Sequence, residues 1–304
     1  MTERLDGLLT DKNCMEPEIN LKGKVFKLVR VQRDGGTGVY KSDDEFLRIG
    51  EKEKIHKDLE LHKNMEAGKF PVARLIEEGE LSGQYYFIES SLGDNHLGKL
   101  FAEDMLRGGT ISNKNFETFL KIVESFGKAQ LKTNTDIKNY EVFAKGIHLD
   151  ILCDELPQYS EAILSCFKNT IDKLSVFPFV ISHGDLNPNN LYPTGVIDLE
   201  DSFYGPFGLD LVTAIVHINY FPDSKEYEYF AGYRFTPEQK KRYFLLIDSI
   251  ATYGGLSALS SCKTEFEFCR AIWSLVRMDK WPKIQKFRYD LFIKKFLKNY
   301  LKRK

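Results

Sequence analysis

Polar and apolar positions change rhythm along the chain. Residues up to about Leu21 are polar and weakly patterned, which predicts an irregular lead-in or a short helix. Val25, Phe26, Leu28 and Val29 then read as a strand, and Arg33-Asp34-Gly35-Gly36-Thr37-Gly38 as a glycine-rich turn. Strands resume at Val39-Tyr40-Lys41 and Glu45-Phe46-Leu47-Arg48-Ile49. A charged helical stretch follows from Glu51 to about Met65, with Ile55, Leu59 and Leu61 as its apolar members. Pro71 to Ile76 and Gln84 to Ile88 complete an expected five-stranded antiparallel lobe, ending near Glu89-Ser90-Ser91-Leu92-Gly93.

Beyond that point the period is helical. Leu97 to Leu106 closes at Gly108-Gly109, and Phe116, Phe119, Leu120, Val123 and Phe126 stripe a helix from about Ser112 to Leu131. Further helices are expected over Tyr140 to Leu156, Tyr159 to Leu174 and from Pro206 through Ile218. Thr236-Pro237-Glu238-Gln239 is a capping box with Pro at the first helical position, opening a helix to about Tyr253. Two more follow, about Glu265 to Met278 and Ile284 to Lys302. The last is basic and amphipathic, and its continuous apolar stripe predicts docking on the helical lobe rather than on a partner.

Composition adds bounds. A chain of 304 residues with a formal net charge of -1 shows no polyanion-binding bias, so neither nucleic acid nor membrane is an expected partner. Five scattered cysteines, Cys14, Cys153, Cys166, Cys262 and Cys269, argue against a disulfide framework or zinc site and fit the cytoplasm. Monomer and homodimer both stay open.

The chemistry concentrates in one stretch. A short apolar strand, Phe179 to Ile181, breaks at His183-Gly184-Asp185, and Asn187-Pro188-Asn189-Asn190 is turn-forming. A second short strand, Gly195 to Ile197, delivers Asp198 and Glu200. Phosphoryl transfer needs a carboxylate to accept a hydroxyl proton, and an amide and a second carboxylate to hold Mg²⁺. An Asp, an Asn five residues on, and an Asp after a short hairpin is the order a kinase catalytic loop uses. Glycines let backbone amides approach phosphate, and Gly36, Thr37 and Gly38 are candidates for that contact, although such a turn is also an ordinary hairpin.

His183 to Asn190, followed by Val196-Ile197-Asp198-Leu199-Glu200, resembles the aminoglycoside phosphotransferase and choline kinase family, and Gly205-Pro206 and Asp210-Leu211 fit its pattern. The resemblance implies an α+β, protein-kinase-like fold of two lobes, residues 1–91 with the antiparallel sheet and residues 92–304 mostly helical. It implies ATP, or another nucleoside triphosphate, with Mg²⁺, and a small-molecule hydroxyl acceptor: an aminoglycoside, an amino alcohol or a sugar. By position Asp185 is the catalytic base, His183 braces the loop, and Asn190 and Asp198 are the metal ligands. Asp210 is then an orienting carboxylate rather than a charge at a helix start. Arg48 stands where the phosphate-pairing cation belongs, with Glu60 as its expected partner and Asp58 as the alternative. Glu89 and Ser91 lie in the hinge, whose backbone is expected to meet adenine. A protein kinase is disfavoured by Gly184 in the place of Arg and by the absence of Ala-Pro-Glu. A non-catalytic nucleotide-binding scaffold is the rival from another class. Tyr220 to Tyr229 mixes acids with aromatics and suits either a cationic amine or an ordinary exposed loop.

Overall fold

The computed structural model describes residues 15–32, 36–135, 137–222, 232–276 and 282–298. The chain divides into two compact units, Met1–Asp94 with Thr194–Glu200, and Asn95–Pro193 with Asp201–Lys304.

The first unit is a six-stranded antiparallel sheet. Its strands are β1 (Glu18–Leu21), β2 (Lys24–Val31), β3 (Thr37–Lys41), β4 (Glu45–Gly50), β5 (Leu75–Leu81) and β6 (Gln84–Ser90), in the order β1-β2-β3-β4-β6-β5. One strand more than expected is present, because the end of the lead-in, Glu18–Leu21, is a strand; residues 1–14 of it lie outside the described residues. Ile19 pairs with Phe26 and Leu21 with Lys24, across a two-residue turn in which Lys22 (φ 52°) and Gly23 (φ 81°) are both left-handed. That turn matches the right-handed twist of its flanking strands, which a single alternating pair of apolar residues does not announce. The strand expected at Pro71 begins instead at Leu75 and runs to Leu81. Its run of glutamates is tolerated because β5 is a sheet edge.

Alternation sends the two faces to different partners. Phe26, Tyr40, Leu47, Ile49, Tyr86 and Ile88 pack together with Leu21 in one cluster. Phe87 packs against Ile55 and Leu59 of α1 (Lys52–Ala67). The short strand Gly195–Val196 belongs to this unit too, where the Val196 N–H donates to Pro71 O at 2.7 Å.

The second unit is mostly helical: α2 (Leu97–Gly108), α3 (Asn113–Gln130), α4 (Tyr140–Gly146), α5 (Leu149–Glu155) and α6 (Ser160–Leu174). The phenylalanine stripe of α3 is buried as expected. The single helix expected from Tyr140 is two, broken at His148, whose φ of 61° cannot continue a right-handed helix. After α6 come β7 (Phe179–Ser182), β8 (Leu191–Tyr192) and, past the Gly195–Val196 strand (β9 in chain order), β10 (Phe203–Pro206), antiparallel to β7. The helix expected through Ile218 is only α7 (Leu209–Thr213), with a 3₁₀ turn at His217–Tyr220. Then come α8 (Pro237–Tyr253), whose capping box forms as read, α9 (Lys263–Leu275) and α10 (Pro282–Phe292).

The last helix docks as expected. Ile284, Phe292 and Leu297 are buried, and Phe268 of α9 stacks on Phe292 with ring centroids 5.7 Å apart. Residues 299–304, the basic tip, lie outside the described residues. No described helix is long and apolar enough to cross a membrane.

Candidate active site

The loop between β7 and β8 is held by a buried carboxylate, Asp210, at the start of α7. The His183 N–H donates to its Oδ2 at 2.8 Å and the Gly184 N–H to its Oδ1 at 3.0 Å. Gln130, on the last turn of α3, donates from Nε2 to the same Oδ2 at 2.7 Å and to Ile181 O at 3.0 Å. Asp210 therefore orients the loop, as the resemblance implied. Burial, the largest influence, still raises its pKa despite these donors. Gly184 is required: its φ is 82°, and a Cβ there would stand 2.6 Å from Asp201 O.

Past Gly184 the loop ties itself together. The Asp185 N–H donates to His183 Nδ1 at 3.2 Å, so the fully buried His183 ring braces the turn as expected. Asn187 Nδ2 donates to both Asp185 O and Asp185 Oδ1 at 2.9 Å, and Asn190 Nδ2 donates to Asp185 O at 2.9 Å. That last bond uses the amide N–H of Asn190 and none of its oxygen. Pro188 O accepts from the Gly98 N–H at 2.8 Å, fixing the turn to α2.

Sequence reasoning missed the group nearest the candidate base. Arg270, on α9, donates from Nη1 to Gly184 O at 2.6 Å and from Nη2 to Asp185 Oδ1. Its side chain is 3% exposed and that of Asp185 22%. Burial alone would raise the Asp185 carboxyl. The Arg270 guanidinium, then His217 and His183, overcome it and pull the pKa down to about 2. His217 is itself pushed down to about 3, first by burial and then by the neighbouring Arg270 and Arg288, although Asp185 acts the other way. The signal in the sequence was an arginine inside the otherwise apolar run Phe268 to Trp273, where a charge needs a partner.

The first unit holds the residues expected to meet the nucleotide. Arg48 Nε donates to Glu89 Oε1 at 3.0 Å, both nearly buried. The register explains this: Arg48 lies opposite Phe87 and Phe46 opposite Glu89, so Arg48 and Glu89 are diagonal neighbours on one face. Glu60, the expected partner, is exposed on α1, and Asp58 contributes only at longer range. Burial by itself would lower the Arg48 pKa, but Glu89 and then Asp198 hold it above its ordinary value. His62 supports Glu89, with Nδ1 at 3.4 Å from Oε2 and Nε2 donating to Ala73 O at 2.6 Å.

Thr37 and Gly38 are buried in β3, and Thr37 Oγ1 finds no acceptor or donor among the described residues. Gly36 precedes them, close to Lys54: a Cβ on Gly36 would stand 2.3 Å from its Nζ. Residues 33–35 of the glycine-rich turn lie outside the described residues, as do residues 223–231 of the mixed acidic and aromatic stretch. At the hinge, the Ser91 N–H is already given to Asp44 O at 2.7 Å, and the Glu89 side chain is spent on Arg48.

Asp198 also belongs to the first unit. It is a non-glycine residue at φ 68°, and Arg30 Nη2 donates to its Oδ1 at 2.7 Å. Such a conformation costs about 1–3 kcal/mol, and residues of this kind cluster at active sites, ligand clamps and switch regions. Its carboxylate and the amide oxygen of Asn190 are hard oxygen donors, the kind Mg²⁺ takes. Both residues fit that ion.

Residues 134–243, which include the whole β7–β10 segment, match the sequence model of the phosphotransferase enzyme family, APH. The chain is similar in structure to an aminoglycoside-3'-phosphotransferase of type VIII, at 12% identity and a TM-score of 0.50, over 86% of this chain and 94% of that one. It is also similar to a Plasmodium vivax ethanolamine kinase, at 11% identity and a TM-score of 0.54, over 88% of this chain and 81% of that one. No curated protein sequence matches it. One segment of the chain thus resembles the phosphotransferase enzyme family, and its fold is that of the protein-kinase-like small-molecule kinases.

Proposed function

We propose that this chain is an ATP-dependent phosphotransferase acting on a hydroxyl of a small polar molecule. The observation that carries the reading is the Asp185 loop: an ionised carboxylate on a turn braced by Asp210, His183 and Asn190. Asp185 orients the acceptor hydroxyl and receives its proton as the acceptor oxygen bonds to the γ-phosphorus and the bond to ADP breaks. Asn190 and Asp198 are the residues that would hold Mg²⁺. When bound, the ion neutralises phosphate charge that the protein would otherwise face alone. Arg48, kept cationic by Glu89, is the residue that would meet the nucleotide phosphates.

The ion pair between Arg270 and Asp185 favours a second reading, a nucleotide-binding scaffold whose carboxylate is permanently engaged. Separate losses distinguish the two. Asp185→Asn is expected to keep Mg·ATP affinity and lose turnover, because only interactions in the transition state go. Asp198→Asn is expected to weaken Mg·ATP binding at least about tenfold, since a metal ligand is gone. Calorimetric titration with Mg·ATP and ADP release with a panel of hydroxylated acceptors measure both. Normal turnover in both variants would end the phosphotransferase reading, and Mg·ATP binding without transfer to any acceptor or to water would establish the scaffold.

A further inference from the structure

Asp185 lies among buried cationic groups of the second unit. Two guanidinium groups, Arg270 and Arg288, are buried there at 3% and 4% exposure. Among the described residues Asp185 is the one carboxylate acting on both His217 and Arg288. Glu267, the buried acid on the same helix as Arg270, is engaged by Lys295 and by Lys263 at 3.7 Å. Arg288 spends its donors on main-chain oxygens, Tyr220 O at 2.8 Å and Ser274 O at 2.7 Å, which do not cancel its charge. Among the described residues Arg288 forms no ion pair, and Asp185 is the carboxylate that acts on its charge, a costly arrangement unless something answers it.

Two buried donors in the same cluster are also unanswered. Arg270 Nε and His217 Nε2 have no partner among the described residues. The tautomer of His217 follows from its neighbour. Arg270 Nη2 can only donate and stands 3.4 Å from His217 Nδ1, so Nδ1 accepts and the hydrogen sits on Nε2. Trp273 covers one face of the Arg270 guanidinium, 4.1 Å from ring centroid to Cζ, leaving its in-plane edges to make the polar contacts. A buried donor with no partner in the protein calls for a group from outside it, a water, an ion or a ligand.

We propose that the acceptor is an alcohol bearing an oxyanion, a carboxylate or a phosphate ester, beside the hydroxyl to be phosphorylated, and that Arg270 selects it. This rests on the reading of Asp185 as the base. The arriving oxyanion takes guanidinium donors now given to Asp185 Oδ1, and it offers lone pairs to Arg270 Nε–H and His217 Nε2–H. Released from Arg270, Asp185 Oδ1 is free to accept the hydrogen bond of the neighbouring hydroxyl. The acceptor O–H proton then passes to Asp185, the acceptor oxygen bonds to the γ-phosphorus, and ADP departs. A cationic amine would add a third positive charge to the same cluster, so amino alcohols and aminoglycosides are disfavoured.

The test uses the full chain with Mg·ATP and one small alcohol in several charge forms: glycerol, glycerate and glycerol 3-phosphate, beside ethanolamine, choline and kanamycin. ADP release gives kcat/KM and titration calorimetry gives binding. Glycerate or glycerol 3-phosphate is expected to exceed glycerol by at least about tenfold, the amines to fall below it, and the better anion to identify the oxyanion. Arg270→Lys keeps the charge but loses the fork. It is expected to shrink the ratio of anionic to neutral acceptor at least about fivefold, whereas a merely structural role would depress all acceptors alike. An amine that outperforms both anions, or anions that neither react nor bind better than glycerol, overturns the proposal. Slow Mg·ATP hydrolysis with a preference for amines would sink this inference alone, while a chain that does not bind Mg·ATP would sink the kinase reading beneath it.

Discussion

Replacing Asp185 with Asn has a cost to stability that can be worked from the ion pair. Beside Arg270 the carboxyl is held down at about 2 in the folded chain, against an ordinary value of 3.8. A difference of about 1.8 units corresponds to about 2 kcal/mol of stability supplied by the charged form. Asp185 is 22% exposed, so water screens part of this. Removing the charge also leaves the Arg270 guanidinium buried with only the neutral acceptors Gly184 O and His217 Nδ1 among the described residues, which pushes the cost upward. A net loss of about 2 kcal/mol at about pH 7 is therefore expected. The folded value lies below the unfolded one, so the contribution is complete above about pH 5. It is about half gone near pH 3 and disappears as pH falls through the folded value. Urea denaturation of wild type and Asp185→Asn at several pH values measures the difference directly. A gap that is absent at neutral pH, or that stays constant down to about pH 2, would refute the claim that Arg270 stabilises the charged carboxylate.

Other outcomes follow from the same geometry. Gly184→Ala places a Cβ against Asp201 O at a positive φ. It is expected to cost about 1–3 kcal/mol and to lower kcat more than it alters Mg·ATP affinity, as denaturation and titration would reveal. Truncation before Ile284 exposes the partners of Ile284, Phe292 and Leu297, each worth about 1.5–3 kcal/mol when buried. That sum approaches the stability of a whole domain, so the shortened chain is expected to lose cooperative thermal unfolding, and one that stays folded and active would contradict the docking.

Local chemistry made much of this protein legible before any coordinates. Asp185, Asn190 and Asp198 stand out because turn residues and short apolar strands bracket them, and those are signals carried within a few positions of chain. The capping box at Thr236 and the phenylalanine stripe of α3 were legible for the same reason, since hydrogen bonds and periodicity over one or two turns do not depend on what lies elsewhere. Tertiary pairing decided the rest. Glu89 rather than Glu60 meets Arg48 because antiparallel register brings 41 positions of separation to one sheet face, and no helix spacing encodes that. Arg270 reaches Asp185 across 85 positions, and His217 joins them from a 3₁₀ turn where a helix was expected. A charge inside an apolar helix announces that it needs a partner but not which one, because burial makes the pairing necessary while only the folded packing of α9 against the loop selects Asp185.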